Sequence, residues 1–353
     1  MKASSNQTPN YKKHCILFAV LSSLALLAAA ALVIAADPFF QYHKPIKGLY
    51  YLIDNKLCQN PGLARNFEYD SIIIGSSMTV NFDTKFFAEK LELNTIKLSY
   101  DGAYPKDIDT ILSLVRKGPN EVRAVFLNID MLNYRAEPDI TAYGIPAYLY
   151  NDTVLDDIPY LLNKEVILDY IVRPQIEREG TPLNEAYWSW IYMWYGKDIV
   201  FQTYNAPADI QPALPEDAFA DRVAANLETY ILPHIESMPD TEFTIFFPPY
   251  SVLYWYNRYA DGSLAAELAA EKQVIETLLA YPNVKIYYFQ DDFDYITNFD
   301  NYCDYTHYRH EMNDYMAECF ADGSCRLSLE NYNEVIDNML AWTQNCDYQS
   351  YLP

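Results

Sequence analysis

The first hydrophobic pattern along the chain is an apolar run over residues 15–36 that contains no charged side chain. A run of about 20 apolar residues can cross the hydrocarbon core of a bilayer as one helix. Lys12 and Lys13 precede this run, and Asp37 follows it. Because positive charges favour the cytoplasmic side, the pattern predicts a single-pass anchor with residues 1–14 in the cytoplasm and the rest of the chain outside.

A cleaved signal peptide is the alternative interpretation of the same run, because its alanine-rich end suits a signal peptidase. The length of the run favours an uncleaved anchor, and both interpretations place the body of the protein outside the cytoplasm. Residues 37–67 mix Pro, Tyr, Lys and Asn in irregular order. We interpret them as a membrane-proximal segment that leads from the anchor to a folded domain over residues 68–353.

Within that domain, short apolar runs of strand character alternate with segments of helical periodicity. The spacing of Ile108, Ile111, Leu112 and Val115 predicts a helix that begins at Pro105, and further helices are predicted near 215–237, 264–279 and 327–342. Alternating strands and helices imply right-handed crossovers and parallel pairing. The pattern therefore predicts an α/β fold, a three-layer α/β/α sandwich with a five-stranded, mostly parallel sheet. The predicted strands are Ser71–Gly75, Asn94–Leu98, Ala124–Ile129, Glu242–Phe247 and Val284–Phe289.

The alternation is interrupted over about residues 131–215, which are rich in Tyr, Trp and Pro. Because the alternation resumes afterwards, we interpret this stretch as an insertion packed on the active edge of the sheet. It is not predicted to form a separate domain.

The net charge of −23 at pH 7 argues against nucleic acid as a partner, because binding a phosphate backbone needs a basic surface. No pair of cysteines has the Cys-x-x-Cys spacing that indicates zinc, and we predict neither a metal nor another cofactor.

Candidate chemistry appears where the first predicted strand ends, in Gly75-Ser76-Ser77. Reacting groups are displayed at the carboxyl ends of parallel strands, so Ser77 is the candidate nucleophile, with Ser76 as the alternative. A serine hydroxyl becomes nucleophilic when a neighbouring imidazole takes its proton and a carboxylate orients that imidazole.

Four histidines follow the anchor, and two of them are candidates for this base. His43 lies beside the membrane and His234 lies within a predicted helix, so His307 and His310 remain. Asp304 precedes His307 by three positions, a spacing that can place carboxylate and imidazole on one face of a turn.

These residues carry a resemblance to a known family. Gly75-Ser76-Ser77-Met78-Thr79 resembles the nucleophile block of the SGNH (GDSL) hydrolase superfamily, with Ser76 in place of the usual Asp. Asp304-Tyr305-Thr306-His307 resembles the Asp-x-x-His block of the same superfamily. Together with the predicted anchor, the two blocks are similar to the membrane-anchored branch, which includes teichoic-acid D-alanylation proteins of the DltD type and alginate acetylation proteins.

The resemblance implies a flavodoxin-like SGNH fold and a serine acyltransferase or esterase acting on O-acetyl groups of a cell-envelope glycan or teichoic-acid-like polymer. It also implies a membrane-bound O-acyltransferase as partner. Ser77 would be the nucleophile, His307 the base and Asp304 the group that orients it. The alternative is a polysaccharide-binding or scaffold partner of the acyltransferase that has no catalytic activity.

For the oxyanion, the resemblance implies the N–H groups of Ser77 and Gly102. The family's Gly-x-Asn-Asp block is absent here, because the third strand continues as Asn128-Ile129-Asp130-Met131-Leu132-Asn133. The side chain that completes the oxyanion hole is therefore that of Asn133 or Asn128, or it is absent.

Overall fold

The computed structural model describes residues 11–353 and confirms an α/β fold. Short 3₁₀ and π-helical segments, among them 77–79, 166–172 and 227–231, supplement the α-helices. The first half of the chain contains α1 (Tyr11–Ala36), α2 (Lys56–Asn66), β1 (Ser71–Ile74), α3 (Thr84–Leu91), β2 (Thr95–Lys97), α4 (Pro105–Lys117), β3 (Ala124–Asn128), α5 (Met131–Tyr134), α6 (Ala147–Tyr150), α7 (Ile158–Leu161) and α8 (Arg173–Glu177).

The second half contains the remaining strands and the helices that separate them. They are α9 (Lys197–Thr203), α10 (Ala220–Asn226), α11 (Leu232–Ser237), β4 (Glu242–Phe247), α12 (Val252–Ala260), α13 (Leu264–Leu279), β5 (Val284–Tyr288), α14 (Phe293–Ile296), α15 (His310–Asp322), β6 (Arg326–Leu327) and α16 (Tyr332–Asn345).

Over residues 11–353, six strands form one sheet in the order β2-β1-β3-β4-β5-β6. The first five strands pair in parallel with their neighbours, and β6 pairs antiparallel with β5. The predicted five-stranded sheet is therefore corrected to a mixed sheet of six strands. The sixth strand has only two residues, one of them the exposed Arg326, so it offers no alternation that a sequence pattern could reveal.

Both faces of the sheet bury apolar side chains. Ile72, Ile74 and Val125 point into one hydrophobic cluster, whereas Ile73 and Phe126 point into another. Neighbouring side chains of a strand point to opposite faces, so strands covered on both sides read as continuous apolar runs. This explains why the central strands were recognisable from the sequence as unbroken runs.

The membrane-proximal segment contributes to the first of these clusters. It contains α2, and Leu63 and Ala64 of that helix are fully buried in the cluster that holds Ile72. The predicted insertion over 131–215 has mostly short helices, and its Tyr134 and Tyr187 are buried in the same cluster. Both segments are thus built into the body of the protein.

The helix α1 is long and apolar enough to span a membrane, properties that a signal sequence shares. Of its 26 residues, only Val33 and Ala36 are buried. These two residues pack with Phe39 and with Tyr160 and Ile171 in a third hydrophobic cluster. The C-terminal end of α1 is therefore part of the folded body, whereas most of the helix is uncovered.

A buried ion cluster lies beside the sheet, centred on the fully buried carboxylate of Glu267. Arg135 lies 2.8 Å and Arg258 3.9 Å from that carboxylate, and Tyr254 donates a hydrogen bond to it. We expect Arg135→Met to lower the free energy of unfolding by about 3 kcal/mol, because the change leaves a buried charge short of a partner. Chemical denaturation of the full-length protein in detergent measures the loss.

The control for that prediction is an exposed ion pair between Arg222 and Glu137, whose nearest atoms lie 2.7 Å apart. Arg222→Met should cost about 1 kcal/mol or less, because solvent screens an exposed pair. Equal losses in the two variants would contradict the importance of burial at Glu267.

Candidate active site

The candidate nucleophile lies in a turn that only glycine can begin. Gly75 follows β1 with φ of +141°, and a Cβ atom at this position would lie 1.9 Å from Oδ1 of Asn128. That oxygen accepts a hydrogen bond from the N–H of Ser76 (2.7 Å), and Nδ2 of Asn128 donates to Oγ of Ser76 (3.1 Å). The buried Ser76 is thus tied to β3, whereas the next residue, Ser77, is partly exposed.

Ser77, His307 and Asp304 meet at the carboxyl end of β1. Oγ of Ser77 lies 3.0 Å from Nε2 of His307, and Nδ1 of His307 lies 2.6 Å from Oδ2 of Asp304. The serine and the histidine are 230 positions apart in the chain. The structure therefore brings together the three residues that the sequence singled out for nucleophilic chemistry, in hydroxyl–imidazole–carboxylate order.

Asp304 organises its own loop. Its Oδ1 accepts hydrogen bonds from the N–H groups of Thr306 (2.7 Å) and His307 (2.7 Å) and from the hydroxyl of Thr306 (3.0 Å). A carboxylate that accepts from the backbone two and three residues later is the Asx turn expected of Asp at such a position. This turn directs the imidazole of His307 toward the carboxylate.

The loop is also fastened to the serine turn. The hydroxyl of Tyr308 and Nδ2 of Asn313 both donate to the carbonyl of Met78, over 3.1 and 3.2 Å. Met78 directly follows Ser77, so these bonds join the segments that carry the nucleophile and the base. All three groups are buried, where loss of a hydrogen-bond partner is costly.

Electrostatics at Asp304 determine the tautomer of His307. Burial opposes ionisation of this carboxyl, but the hydrogen bond and charge of His307 and the backbone N–H donors outweigh burial and lower the pKa of Asp304 to about 2. An ionised carboxylate only accepts hydrogen bonds, so the proton of a neutral His307 lies on Nδ1. Its Nε2 is then free to accept the proton of Ser77.

The other histidines have different partners. His310 begins α15 and lies 3.4 Å from the carboxylate of Glu311. His234 is buried and contacts Asp109 over 2.7 Å, and His43 contacts backbone carbonyls near the end of α1. Of the two candidate bases, the structure therefore places His307 at the serine.

Of the predicted oxyanion groups, the two backbone N–H groups are uncommitted in the described part of the chain, whereas the two asparagine amides bind other groups. Within residues 11–353, no group accepts a hydrogen bond from the N–H of Ser77 or of Gly102. The amide of Asn133 donates to the carbonyl of Ala103 (2.8 Å), and no hydrogen bond in this part of the chain joins it to Ser77 or His307. The amide of Asn128 is engaged with Ser76, so the uncommitted donors are two backbone N–H groups.

Trp190 is a site residue that the sequence did not single out. Its ring lies 4.3 Å from the ring of His307, and its Nε1 donates to the carbonyl of Tyr308. Trp190 belongs to the insertion over 131–215. The only signal in the sequence was the abundance of aromatic residues in that insertion. Trp190 thus packs against the imidazole of His307.

Residues that follow Trp190 and His307 in the chain line an open cavity of about 440 Å³. Tyr192, Trp194 and Tyr195 line it on one side, and Arg309 and His310 on the other. Tyr192 is 91% and Trp194 82% exposed, an unusual degree for side chains of this size. The cavity is thus an aromatic surface within a few residues of the candidate base.

Asp130, two residues after β3, interacts electrostatically with His307 and was not predicted as part of the site. Its Oδ1 is buried, and no group within residues 11–353 donates to it. Burial raises the pKa of Asp130 to about 6, and the negative charge of Glu267 adds to the shift. The sequence feature that could have indicated a role for Asp130 was its position after a central strand.

We expect Asp130→Asn to stabilise the protein more at pH 7.5 than at pH 4.5. The pKa of an unfolded Asp is about 3.9, so a folded value of about 6 costs stability as the pH rises from 4 through 6. Asparagine carries no such cost, and the gain in unfolding free energy should be about 2 kcal/mol larger at the higher pH. Denaturation at both pH values measures it, with the exposed Asp209→Asn as control. A gain independent of pH would contradict the prediction.

Comparison with known proteins leaves the chain without an assigned family. No protein-family model matches it. No curated protein matches it either. Any conclusion on function therefore depends on the geometry of Ser77, His307 and Asp304.

Proposed function

We propose that this protein is a membrane-anchored, extracytoplasmic serine acyltransferase or esterase of the SGNH type, acting on O-acetyl groups of a cell-envelope glycan. The observation that supports the proposal is the continuous chain from Oγ of Ser77 to Nε2 of His307 (3.0 Å) and from Nδ1 to Asp304 (2.6 Å). The first five strands of the sheet are parallel to their neighbours, and apolar clusters cover both faces of the sheet. Both features agree with the three-layer fold of that superfamily.

The proposed reaction has two steps. Oγ of Ser77 attacks the carbonyl carbon of the ester while Nε2 of His307 takes the hydroxyl proton and then gives it to the departing alcohol. A sugar hydroxyl or water next attacks the acyl-serine, His307 again takes the proton, and Ser77 is released with its hydrogen restored. The N–H groups of Ser77 and Gly102 are the proposed donors to the negatively charged oxygen.

The surroundings of the site favour a neutral glycan as substrate. Aromatic faces pack against the apolar faces of pyranose rings, and Tyr192 and Trp194 expose such faces in the cavity that Arg309 and His310, close to His307 in the chain, also line. A net charge of −23 repels polyanionic polymers. A membrane-bound O-acyltransferase that supplies the acyl group is the proposed partner.

The direct test is labelling of the full-length protein with a fluorophosphonate probe, followed by identification of the modified peptide. We expect the label on Ser77, no label in Ser77→Ala or His307→Ala, and retained label in Ser76→Ala. Label on Ser76, or none on the wild-type protein, would refute the assigned nucleophile.

A second candidate is a scaffold without catalytic activity that binds the polysaccharide and the acyltransferase. The engagement of the Asn133 and Asn128 amides with Ala103 and Ser76 favours it, because a side-chain donor to the oxyanion is then missing. Such a scaffold would support acetylation of the polymer in cells equally well with Ser77→Ala, whereas the enzyme would not.

Trp194→Ala tests the substrate class. If a pyranose ring stacks on Trp194, the KM for an O-acetylated oligosaccharide should rise about 5- to 30-fold, the factor for a loss of about 1–2 kcal/mol. Hydrolysis of a small aryl acetate should stay unchanged, because that substrate does not reach the aromatic surface. Tyr143→Ala, at another exposed aromatic residue, is the matched control, and equal effects of the two variants would contradict the role of Trp194.

A further inference from the structure

Exposed apolar side chains recur over residues 155–176, a stretch that includes two segments in contact with α1. We call this set of side chains the apolar collar. All its members are exposed, from 36% for Val172 to 84% for Leu155. Scattered exposed apolar residues are ordinary, but a contiguous set marks a surface that is covered in the working protein. The collar consists of Leu155, Ile158, Leu162, Leu168, Val172 and Ile176.

The helical part of the collar has two apolar faces. Val166, Ile171 and Pro174 are buried against the body, whereas Leu168 and Val172 point away from it. Leu168, Val172 and Ile176 recur every four residues and so form one stripe along the helical segment. The first face is apolar because it packs against the core of the protein. The stripe has no such reason, because nothing within residues 11–353 covers it.

Charged residues beside this stripe are paired with one another. Arg173 lies 4.0 Å from the carboxylate of Asp169 and 3.8 Å from that of Glu177. The segment thus has an apolar stripe flanked by a polar, ion-paired one, which is the pattern of a helix that lies in a membrane interface.

The contacts of the collar segments with α1 determine where these segments lie relative to the bilayer. Both α7 and residues 166–172 contact α1, and Tyr160 and Ile171 pack with Val33 and Ala36 at its outer end. At about 1.5 Å per residue, the apolar run over residues 15–36 is roughly 33 Å long, close to the thickness of a hydrocarbon core. Val33 and Ala36 then lie at the outer boundary of that core, and so do the segments packed on them.

The surface between the anchor and the collar is apolar as well. An open cavity of about 290 Å³ lies between Leu32 and Ala35 of α1 on one side and Ile171 on the other. Tyr50 and Tyr170 also line it, and tyrosine is enriched at the level of lipid headgroups. The apolar surface therefore extends from α1 to the helical segment that also carries Leu168 and Val172.

From the packing of these segments on the end of α1 we propose that the apolar collar is a second membrane-contact surface, immersed in the outer lipid interface next to α1. The collar and the anchor together hold the body at a defined height and tilt above the bilayer, which a single helix with a flexible connection would not do. The inference rests on the proposed anchoring of α1 in a bilayer and is independent of the chemistry at Ser77.

The test is photo-crosslinking of the full-length protein in vesicles of phosphatidylethanolamine and phosphatidylglycerol. The photoreactive residue p-benzoylphenylalanine replaces Leu155 or Ile176 in the collar, Leu24 in α1, or Leu329 in the loop after β6, which is 68% exposed. We expect at least about tenfold more lipid adduct at Leu155 and Ile176 than at Leu329, because burial of a leucine-sized side chain is favoured by more than the free energy of a factor of ten.

Adducts at Leu24 but not at Leu155 and Ile176 would overturn the collar and leave the anchor intact. That result would assign the collar to a protein partner, which these vesicles lack. Equal adducts at Leu329 would overturn it too, because the body would then touch lipid without preference. No adduct at Leu24 would refute the insertion of α1 and with it the collar, while labelling of Ser77 by a fluorophosphonate would still report on the proposed chemistry.

Discussion

Ser77→Ala is expected to lower kcat for hydrolysis of an aryl acetate by a factor of at least about 10⁴, the scale seen when the serine of a hydroxyl–imidazole–carboxylate unit is removed. The side chain of Ser77 is the only hydroxyl with a hydrogen bond to Nε2 of His307 in residues 11–353. Without this hydroxyl no acyl-enzyme forms, and the residual hydrolysis depends on direct attack by water with help from the oxyanion donors. Steady-state rates of the full-length protein in detergent measure the loss.

Ser76→Ala is the matched control, one residue away. It removes hydrogen bonds to Asn128 (3.1 Å) and to the N–H of Met78 (3.4 Å), so it loosens the turn without removing the proposed nucleophile. We expect its kcat to stay within about tenfold of the wild-type value, since each such bond contributes about 1 kcal/mol. If Ser76→Ala abolished activity and Ser77→Ala did not, the two serines would have to exchange roles.

Asp304→Asn is expected to lower kcat by a factor of about 10⁴ while leaving KM nearly unchanged. An amide can donate to Nδ1 of His307, and the imidazole would then carry its proton on Nε2, where it cannot accept the proton of Ser77. The carboxylate of Asp304 holds the opposite tautomer, because the pKa of about 2 keeps it ionised at neutral pH. Rates and KM for the aryl acetate separate this effect from a loss of substrate binding.

Asp300→Asn serves as the control for Asp304→Asn. Asp300 is an exposed carboxylate four residues earlier in the same part of the chain, and its substitution should leave kcat unchanged. A small loss in Asp304→Asn, comparable to that in Asp300→Asn, would show that Asp304 does not orient the base. The scaffold interpretation would then gain support.

Much of the fold could be predicted from local patterns. The strand Glu242–Phe247 and the helix Leu264–Leu279 have the predicted bounds, because an unbroken apolar strand and a long amphipathic helix show their period within the segment itself. The two-residue strand β6 shows no period and was missed. In the insertion, short helices follow one another without a repeated spacing, so its packing could not be derived.

At the candidate site, residue types and their order in the chain pointed to Ser77, His307 and Asp304. The match to the nucleophile block favoured Ser77, and Ser76 stayed the alternative because both follow the same strand. The structure distinguishes them by contact, since Ser76 bonds to Asn128 and Ser77 to His307. The expected side-chain donor Asn133 bonds instead to a backbone carbonyl, which no spacing could have indicated.

The sequence by itself determined the features that depend on near neighbours: the apolar run of α1, the buried strands and the turn at Gly75. The tertiary structure alone decided which serine meets His307, that Trp190 packs against this histidine, that burial raises the pKa of Asp130 and that segments carrying the apolar collar contact α1. The physical reason is that hydrogen-bond partners, desolvation and a shared surface arise between residues far apart in the chain, and these relations exist only after the chain has folded.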